Sequence, residues 1–257
     1  MENKIVKALF FIMALLLLGS CANDELVPYY QQQKPGKLVI IGYNARADSI
    51  QIAVNGKVIK IGNKNAFVKN IVKDYDFVIY ENEPNNVVIT NKRSKEILHS
   101  YQITSEKDID TISFYTKKDL WVDNVLSTKP GVLTKPGNAG FKFIFPTINR
   151  YSASGYDGKL DGIMRKLDGE TVGIAKNIGK DEYSSFVEFP ASLPPIIKME
   201  LVKQGTTESY IAGKQVFVIM LMTKDKSGLI MLEEKQTTDG KFSSVDGSLN
   251  ITDFFDF

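Results

Sequence analysis

Ile50-Gln51-Ile52-Ala53-Val54 alternates apolar with small or polar residues, meets Asn55-Gly56, and continues as Lys57-Val58-Ile59-Lys60-Ile61. Alternation with a period of two gives a strand one buried and one solvated face, and Asn-Gly supplies the two positive-φ positions of a type I′ turn. This stretch is a β-hairpin, and it sets the style of its surroundings. Asp76-Phe77-Val78-Ile79-Tyr80, Val87-Val88-Ile89-Thr90 and Ile109 to Tyr115 are β-rich runs separated by polar turns. Phe67, Val68, Ile71, Val72 and Tyr75 fall instead at helical spacing, so a short helix there stays open.

The second half repeats the pattern with Ser185 to Phe189, Ile196 to Val202, and Val216-Phe217-Val218-Ile219-Met220-Leu221-Met222. The last run is apolar on both alternations and predicts a central strand buried on both faces. Lys224 to Gly228 then predicts a hairpin into Leu229-Ile230-Met231-Leu232-Glu233, while Pro190, Pro194 and Pro195 mark a loop. Lys34-Pro35-Gly36 and Lys135-Pro136-Gly137 each precede a strand-like run, as breakers opening two related halves would. The expected fold class is all-β: two immunoglobulin-like β-sandwiches in tandem over 34–127 and 138–257, joined by a breaker-rich linker at 128–137.

Length and composition agree. A chain of 257 residues has room for two ordinary domains, and 43% hydrophobic with 24% charged residues excludes a disordered chain. Thirty-two basic against thirty acidic residues leave a net charge of +2, too balanced for a nucleic-acid partner held through phosphates. One cysteine and one histidine exclude an internal disulfide and multi-histidine metal sites.

Residues 1–20 read as a signal peptide, with Lys4 and Lys7 ahead of the apolar run Ala8 to Leu18, which is too short to cross a bilayer. Leu18-Gly19-Ser20-Cys21 resembles the lipobox of bacterial lipoproteins. The resemblance implies cleavage before Cys21, diacylglycerol on its sulfur and acylation of its new amine. Several acyl chains on one residue would hold the membrane permanently, and lipidation would also account for a lone thiol in an exported protein. The alternative is an ordinary secreted protein with an incidental Cys21. Residues 21–33 form a polar tether. Within it Asp24-Glu25 is similar to the surface-export signal of Bacteroidetes lipoproteins, which implies a lipid-anchored place at the outer membrane facing outward, the periplasmic face being the alternative.

Lys37-Leu38-Val39-Ile40 leading into Tyr43-Asn44-Ala45 and Asp48, followed by the hairpin, resembles an immunoglobulin-like domain of unknown function common in Bacteroidetes envelope lipoproteins, often in tandem. Arg46-Ala47 stands where that pattern has a Ser-Pro pair. The resemblance implies a β-sandwich in the cell envelope and brings no catalytic residues.

Chemistry is sparse. Gly173 to Lys180 has the wrong glycine spacing for a P-loop and Asp181 where Ser or Thr must hold magnesium, so no nucleotide site is expected. His99 could serve as a base, but a strand-borne imidazole is the plainer reading. Asp157 and Asp161, between glycines, are a candidate calcium turn against an ordinary one. Trp121 is a candidate platform for a sugar or partner chain, the alternative being packing at the domain junction. Tyr151 and Tyr156 sit in a Gly- and Ser-rich stretch suited to a binding loop. Asp48-Ser49-Ile50 and Asp110-Thr111-Ile112 resemble the O-glycosylation site of exported Bacteroides proteins, at Ser49 and Thr111. The expectation is a non-enzymatic envelope protein, without cofactor or metal, contacting glycan or envelope-protein partners. Its rivals are an envelope hydrolase using gathered Asp and Glu carboxylates, and a surface assembly subunit with a donor strand near Phe254-Phe255-Asp256-Phe257.

Overall fold

The computed structural model describes residues 33–80, 84–104, 109–118 and 120–257. The expected signal peptide, the expected lipobox residues Leu18, Gly19 and Ser20, the candidate lipidation site Cys21 and most of the expected tether lie outside them. Among the described residues no helix is long and apolar enough to cross a membrane.

The first half contains β1 (Gln33–Asn44), β2 (Ile50–Val54), β3 (Lys57–Val58), β4 (Lys69–Tyr80), β5 (Asn85–Asn91), β6 (Ile97–Ile103), β7 (Ile109–Lys117) and β8 (Leu120–Asp123). Two sheets, ordered β4-β1-β7-β8 and β3-β2-β5-β6, close on a core that includes Leu38, Ile40, Ile50, Ile52, Ile89 and Phe114. The Asn55-Gly56 hairpin is present, with φ of 48° and 77° and Val54 paired to Lys57.

The second half contains β9 (Asn138–Ile144), β10 (Leu160–Arg165), β11 (Thr171–Ile178), β12 (Val187–Pro190), β13 (Ile196–Lys203), β14 (Phe217–Leu221), β15 (Lys226–Gln236) and β16 (Phe242–Asn250). Its sheets run β12-β9-β15-β16 and β11-β10-β13-β14. That is the first half's order with every strand number raised by eight. The parallel pairing of β1 with β7 recurs as β9 with β15. The chain is all-β, with two immunoglobulin-like sandwiches in tandem.

One reading left open is settled, and three sequence expectations fail for tertiary reasons. The helical spacing at 67–75 runs into β4, which pairs with β1 along its whole length; Phe67 bridges Ile50 and Ile71 is buried, whereas Val68 and Val72 face outward. The run Val216 to Met222 is not central: among the described residues β14 pairs with β13 alone and is an edge strand, and nothing covers the outer face of its sheet at Ile219 and Leu221, which are 69% and 76% exposed. The turn after it makes no hairpin, since β14 and β15 belong to different sheets. Finally, the two Lys-Pro-Gly tripeptides are not equivalent. The first lies inside β1, paired with β4, and the second precedes β9.

The halves are joined by a third apolar cluster. Tyr115, Leu120, Val122 and Val125 of the first half meet Ile144, Leu229, Met231, Ile251 and Phe255 of the second. A single 3-10 turn at Ile251–Asp253 sends Phe254 onto Tyr43 and Tyr115, with ring centroids at 4.5 and 5.5 Å. The aromatic tail is therefore interdomain packing rather than a donor strand. The linker is docked as well. The Glu188 carboxylate on β12 accepts the backbone N–H groups of Thr134 and Lys135, the Thr134 hydroxyl and the Asn138 amide at 2.7–3.0 Å.

Candidate functional site

Polar side chains collect in three places. The first is the flank of the first sandwich, where the edge strands β6 and β8 face each other. Gly42 of β1 leaves room for Phe114: a Cβ there would meet the ring at 2.5 Å. Trp121 of β8 lies over Phe114, and His99 of β6 lies over Trp121, with centroid separations of 4.5 and 4.8 Å and nearly parallel planes. Asp123 ties the stack together. It accepts from the Trp121 indole Nε1 at 2.7 Å and from the Tyr101 hydroxyl, and its other oxygen lies 3.2 Å from His99 Nε2. Burial, reinforced by the Asp123 carboxylate, pushes the Tyr101 phenol well above its ordinary range.

This arrangement redefines two candidates. Trp121 has one face on Phe114 and the other under His99, so the indole offers no open platform for a sugar; it packs into the flank of the first sandwich's core. His99 holds two sheet edges together through its ring and Asp123. A cleft of about 270 Å³ between the sandwiches is lined by Trp121, Asp123, Asn124, Lys180 and Asp181 among others. It brings two carboxylates into one cleft, but Asp123 is already committed to Tyr101 and Trp121 and is poorly suited to move a proton.

The second place is an open groove of about 760 Å³ on the outer side of β10, β11 and β13. Ile163, Ile174 and Val202 form its apolar floor, and Lys176, Asn177, Gln204, Thr206, Thr207 and Glu208 its polar rim. Asp161 holds the groove open. Its carboxylate is buried and accepts the backbone N–H of Asn177 at 3.0 Å and of Gly205 at 2.9 Å, pinning the end of β11 to the turn after β13. The Gln204 side-chain amide donates to Asn177 Oδ1 across the groove. Tyr156, a candidate for direct binding, is half-buried, and its hydroxyl donates to the Lys159 carbonyl and accepts weakly from Gln204 N–H at 3.4 Å. It supports one wall.

Asp157 and Asp161 do not converge as the calcium reading required. Asp161 spends its oxygens on backbone amides, and Asp157 lines a different depression with Lys159 and Glu182. Among the described residues no three potential metal ligands gather.

The third place was invisible in sequence. Glu234 on β15 is 1% exposed and accepts from the backbone N–H groups of Asn149, Tyr151 and Ser152, the Ser152 hydroxyl and the Tyr210 hydroxyl at 2.6–3.2 Å. All but the Tyr210 hydroxyl come from a loop more than eighty residues away. Tyr151, expected as a binding aromatic, is thus tied down through its backbone while the Arg150 guanidinium lies 5.5 Å over its ring. Burial and the adjacent carboxylate raise the Tyr210 phenol pKa. Ser49 is half-buried in the loop before β2, and Thr111 is exposed on β7.

No protein-family model matches the sequence, and no curated protein does either. Among solved structures the chain is similar to the Bacillus anthracis TIE protein, at 6% identity and a TM-score of 0.25, covering 83% of this chain. The chain spans only 34% of that protein's length. It is also similar to family 41 carbohydrate-binding modules of streptococcal virulence factors that recognise α-glucan, at 12% identity and a TM-score of 0.26, covering 83% of this chain and 97% of that one. A family 26 module from Eubacterium rectale, in complex with maltoheptaose, matches at 10% identity and a TM-score of 0.24, covering 83% and 97%. Likeness this distant says nothing about a ligand for this chain.

Two features that sequence reading passed over therefore shape the candidate sites. The groove rim combines a strand end with a turn some thirty residues later, and Glu234 sits in an apolar strand as an ordinary-looking acidic residue. The one available signal was that a Glu within the otherwise inward row of β15 needs partners if the row is buried.

Proposed function

We propose that this chain is a lipid-anchored envelope protein that binds rather than transforms its ligand, and that the groove over β10, β11 and β13 takes a neutral, hydroxyl-rich segment such as a glycan. The observation that carries this reading is the groove's composition: a β-branched apolar floor rimmed by amides, hydroxyls, one lysine and one glutamate that is itself paired with Lys203. Sugars present C–H faces and hydroxyl edges together, which such a floor and rim complement. The buried carboxylates support a binding role over a hydrolytic one. Asp161 and Glu234 are engaged by backbone and hydroxyl donors and act as clamps that hold the loops in place. Anchoring rests on Leu18-Gly19-Ser20-Cys21 and the short apolar leader, and outward exposure on Asp24-Glu25.

Glycan-array screening of the purified full chain, followed by calorimetry on any hit, tests the reading. Binding lost in Asn177→Gly, which keeps the positive φ of 65° at that position, and in Gln204→Ala, with melting temperatures little changed, is the expected result. Steady turnover of a bound saccharide, or binding indifferent to both substitutions, would overturn it. Mass spectrometry of native membranes tests the anchor separately through the mass carried by Cys21.

A further inference from the structure

We infer that β14 is a self-pairing edge through which a second copy of this chain extends the sheet β11-β10-β13-β14 into a continuous sheet of eight strands. The backbone of β14 points its unused groups outward. Leu201 N–H donates to the Val216 carbonyl and Met222 N–H to the Pro195 carbonyl, each at 3.0 Å, and the register pairs Met199 with Val218 and Ile197 with Met220. Hydrogen-bonded positions alternate along an antiparallel pair, so Val216, Val218, Met220 and Met222 face β13. Phe217, Ile219 and Leu221 then present their N–H and C=O groups to the open edge. Among the described residues nothing bonds these groups.

Side chains follow the same alternation. Ile219 and Leu221 stand exposed on the outer face, and Phe217 is half-buried under the Lys198 ammonium, 3.6 Å from its ring centroid. A two-fold axis through Ile219 sets that residue opposite itself and Phe217 opposite Leu221 of the second copy. Opposed residues then share a sheet face, and the outward backbone groups meet as hydrogen-bonded pairs. Moving the axis by a residue keeps both conditions, but this register alone pairs all five residues of β14, and no charge meets a like charge, because β14 carries none.

Exposed edges are normally guarded by charge or proline. From Lys57 in β3 and Lys73 in β4 to Glu188 in β12 and Asp246 in β16, every other edge strand among the described residues carries at least one ionisable side chain. The unguarded strand is the self-complementary one. Five residues bury less than the roughly 1,200–2,000 Å² of a stable interface, so the dimer is weak and concentration-dependent, and copies held on one surface would populate it best.

The test uses the full chain in mild detergent, unaltered and as Ile219→Cys, Ile174→Cys and Ile219→Lys. Ile174 is 44% exposed on β11, the opposite edge of the same sheet. Under mild oxidation Ile219→Cys is expected to give about tenfold more disulfide-linked dimer than Ile174→Cys, each read against the unaltered chain, in which Cys21 is the one cysteine. Sedimentation is expected to show concentration-dependent dimer that Ile219→Lys weakens at least about tenfold, through like charges at the axis, with an unchanged melting temperature. Equal cross-linking at positions 219 and 174, dimer unaffected by Ile219→Lys, or a monomer at every concentration would overturn the inference. None of these readouts depends on glycan binding.

Discussion

Replacing Glu234 with Gln keeps the side chain's shape and removes its charge, so the cost can be worked from the acceptors lost. Oε2 accepts the Tyr151 and Ser152 backbone N–H groups, and Oε1 accepts Asn149 N–H, the Ser152 hydroxyl and the Tyr210 hydroxyl. A glutamine can turn its carbonyl oxygen toward the three donors at Oε1, but its NH2 group then faces two backbone donors. Hydrogen bonds to a charged group are worth about 1.5–3 kcal/mol each, and unsatisfied buried donors add their desolvation cost. Allowing for some relaxation of the loop, the loss should be about 4 kcal/mol. For two coupled sandwiches of roughly 225 residues unfolding together, with an unfolding entropy near 2.1 cal/mol/K per residue, that lowers the melting temperature by about 8 °C. Tyr210→Phe removes one donor and should cost only about 1.5 kcal/mol. Differential scanning calorimetry on both variants, with backbone amide exchange at Tyr151 and Ser152, measures these effects. A Glu234→Gln variant within 1 kcal/mol of the parent (roughly the worth of one ordinary hydrogen bond), with both amides still protected, would refute the claim that the carboxylate holds this loop.

Three further outcomes follow from the same reasoning. Hydrogen bonds led by the Thr134 backbone N–H hold the Glu188 carboxyl down at about 2 against an ordinary 4.5, so the stability it contributes should be complete above about pH 4.5 and be lost as pH falls through 2; the Thr134 and Lys135 amide resonances of the folded chain should move around pH 2 and stay still above about pH 4. Gly42→Ala should push Phe114 into the Trp121–His99 stack and cost about 1–3 kcal/mol by overpacking, with a shifted Trp121 emission that His99→Ala also produces by uncovering one indole face. Phe255→Ala should remove about 3–5 kcal/mol from the interdomain cluster and split one calorimetric transition into two, whereas a single sharp transition would show that the tail does not couple the sandwiches.

Much of the architecture was legible locally. The hairpin at Asn55-Gly56 needs nothing beyond the two positive-φ positions that those residues tolerate, and the alternation in β1, β2, β5 and β13 marks the core-facing row directly. The candidate sites were far less legible. Trp121 and His99 are twenty-two residues apart, and only the closing of two sheet edges stacks them. Asp161 read as half of a calcium turn because its sequence neighbours are acidic and glycine-rich, yet its partners are backbone amides at positions 177 and 205.

By itself, the amino-acid order determined that this is a β protein with two strand-rich halves, because period and turn chemistry act between near neighbours. Tertiary structure alone decided which strands became edges, and with them the function-bearing features. Val216 to Met222 is apolar enough for any central position, but chain order left it at a sheet margin, where among the described residues the backbone groups of Phe217, Ile219 and Leu221 have no partner strand and the Ile219 and Leu221 side chains stand exposed. Burial depends on what the rest of the chain places alongside, and no local pattern encodes that.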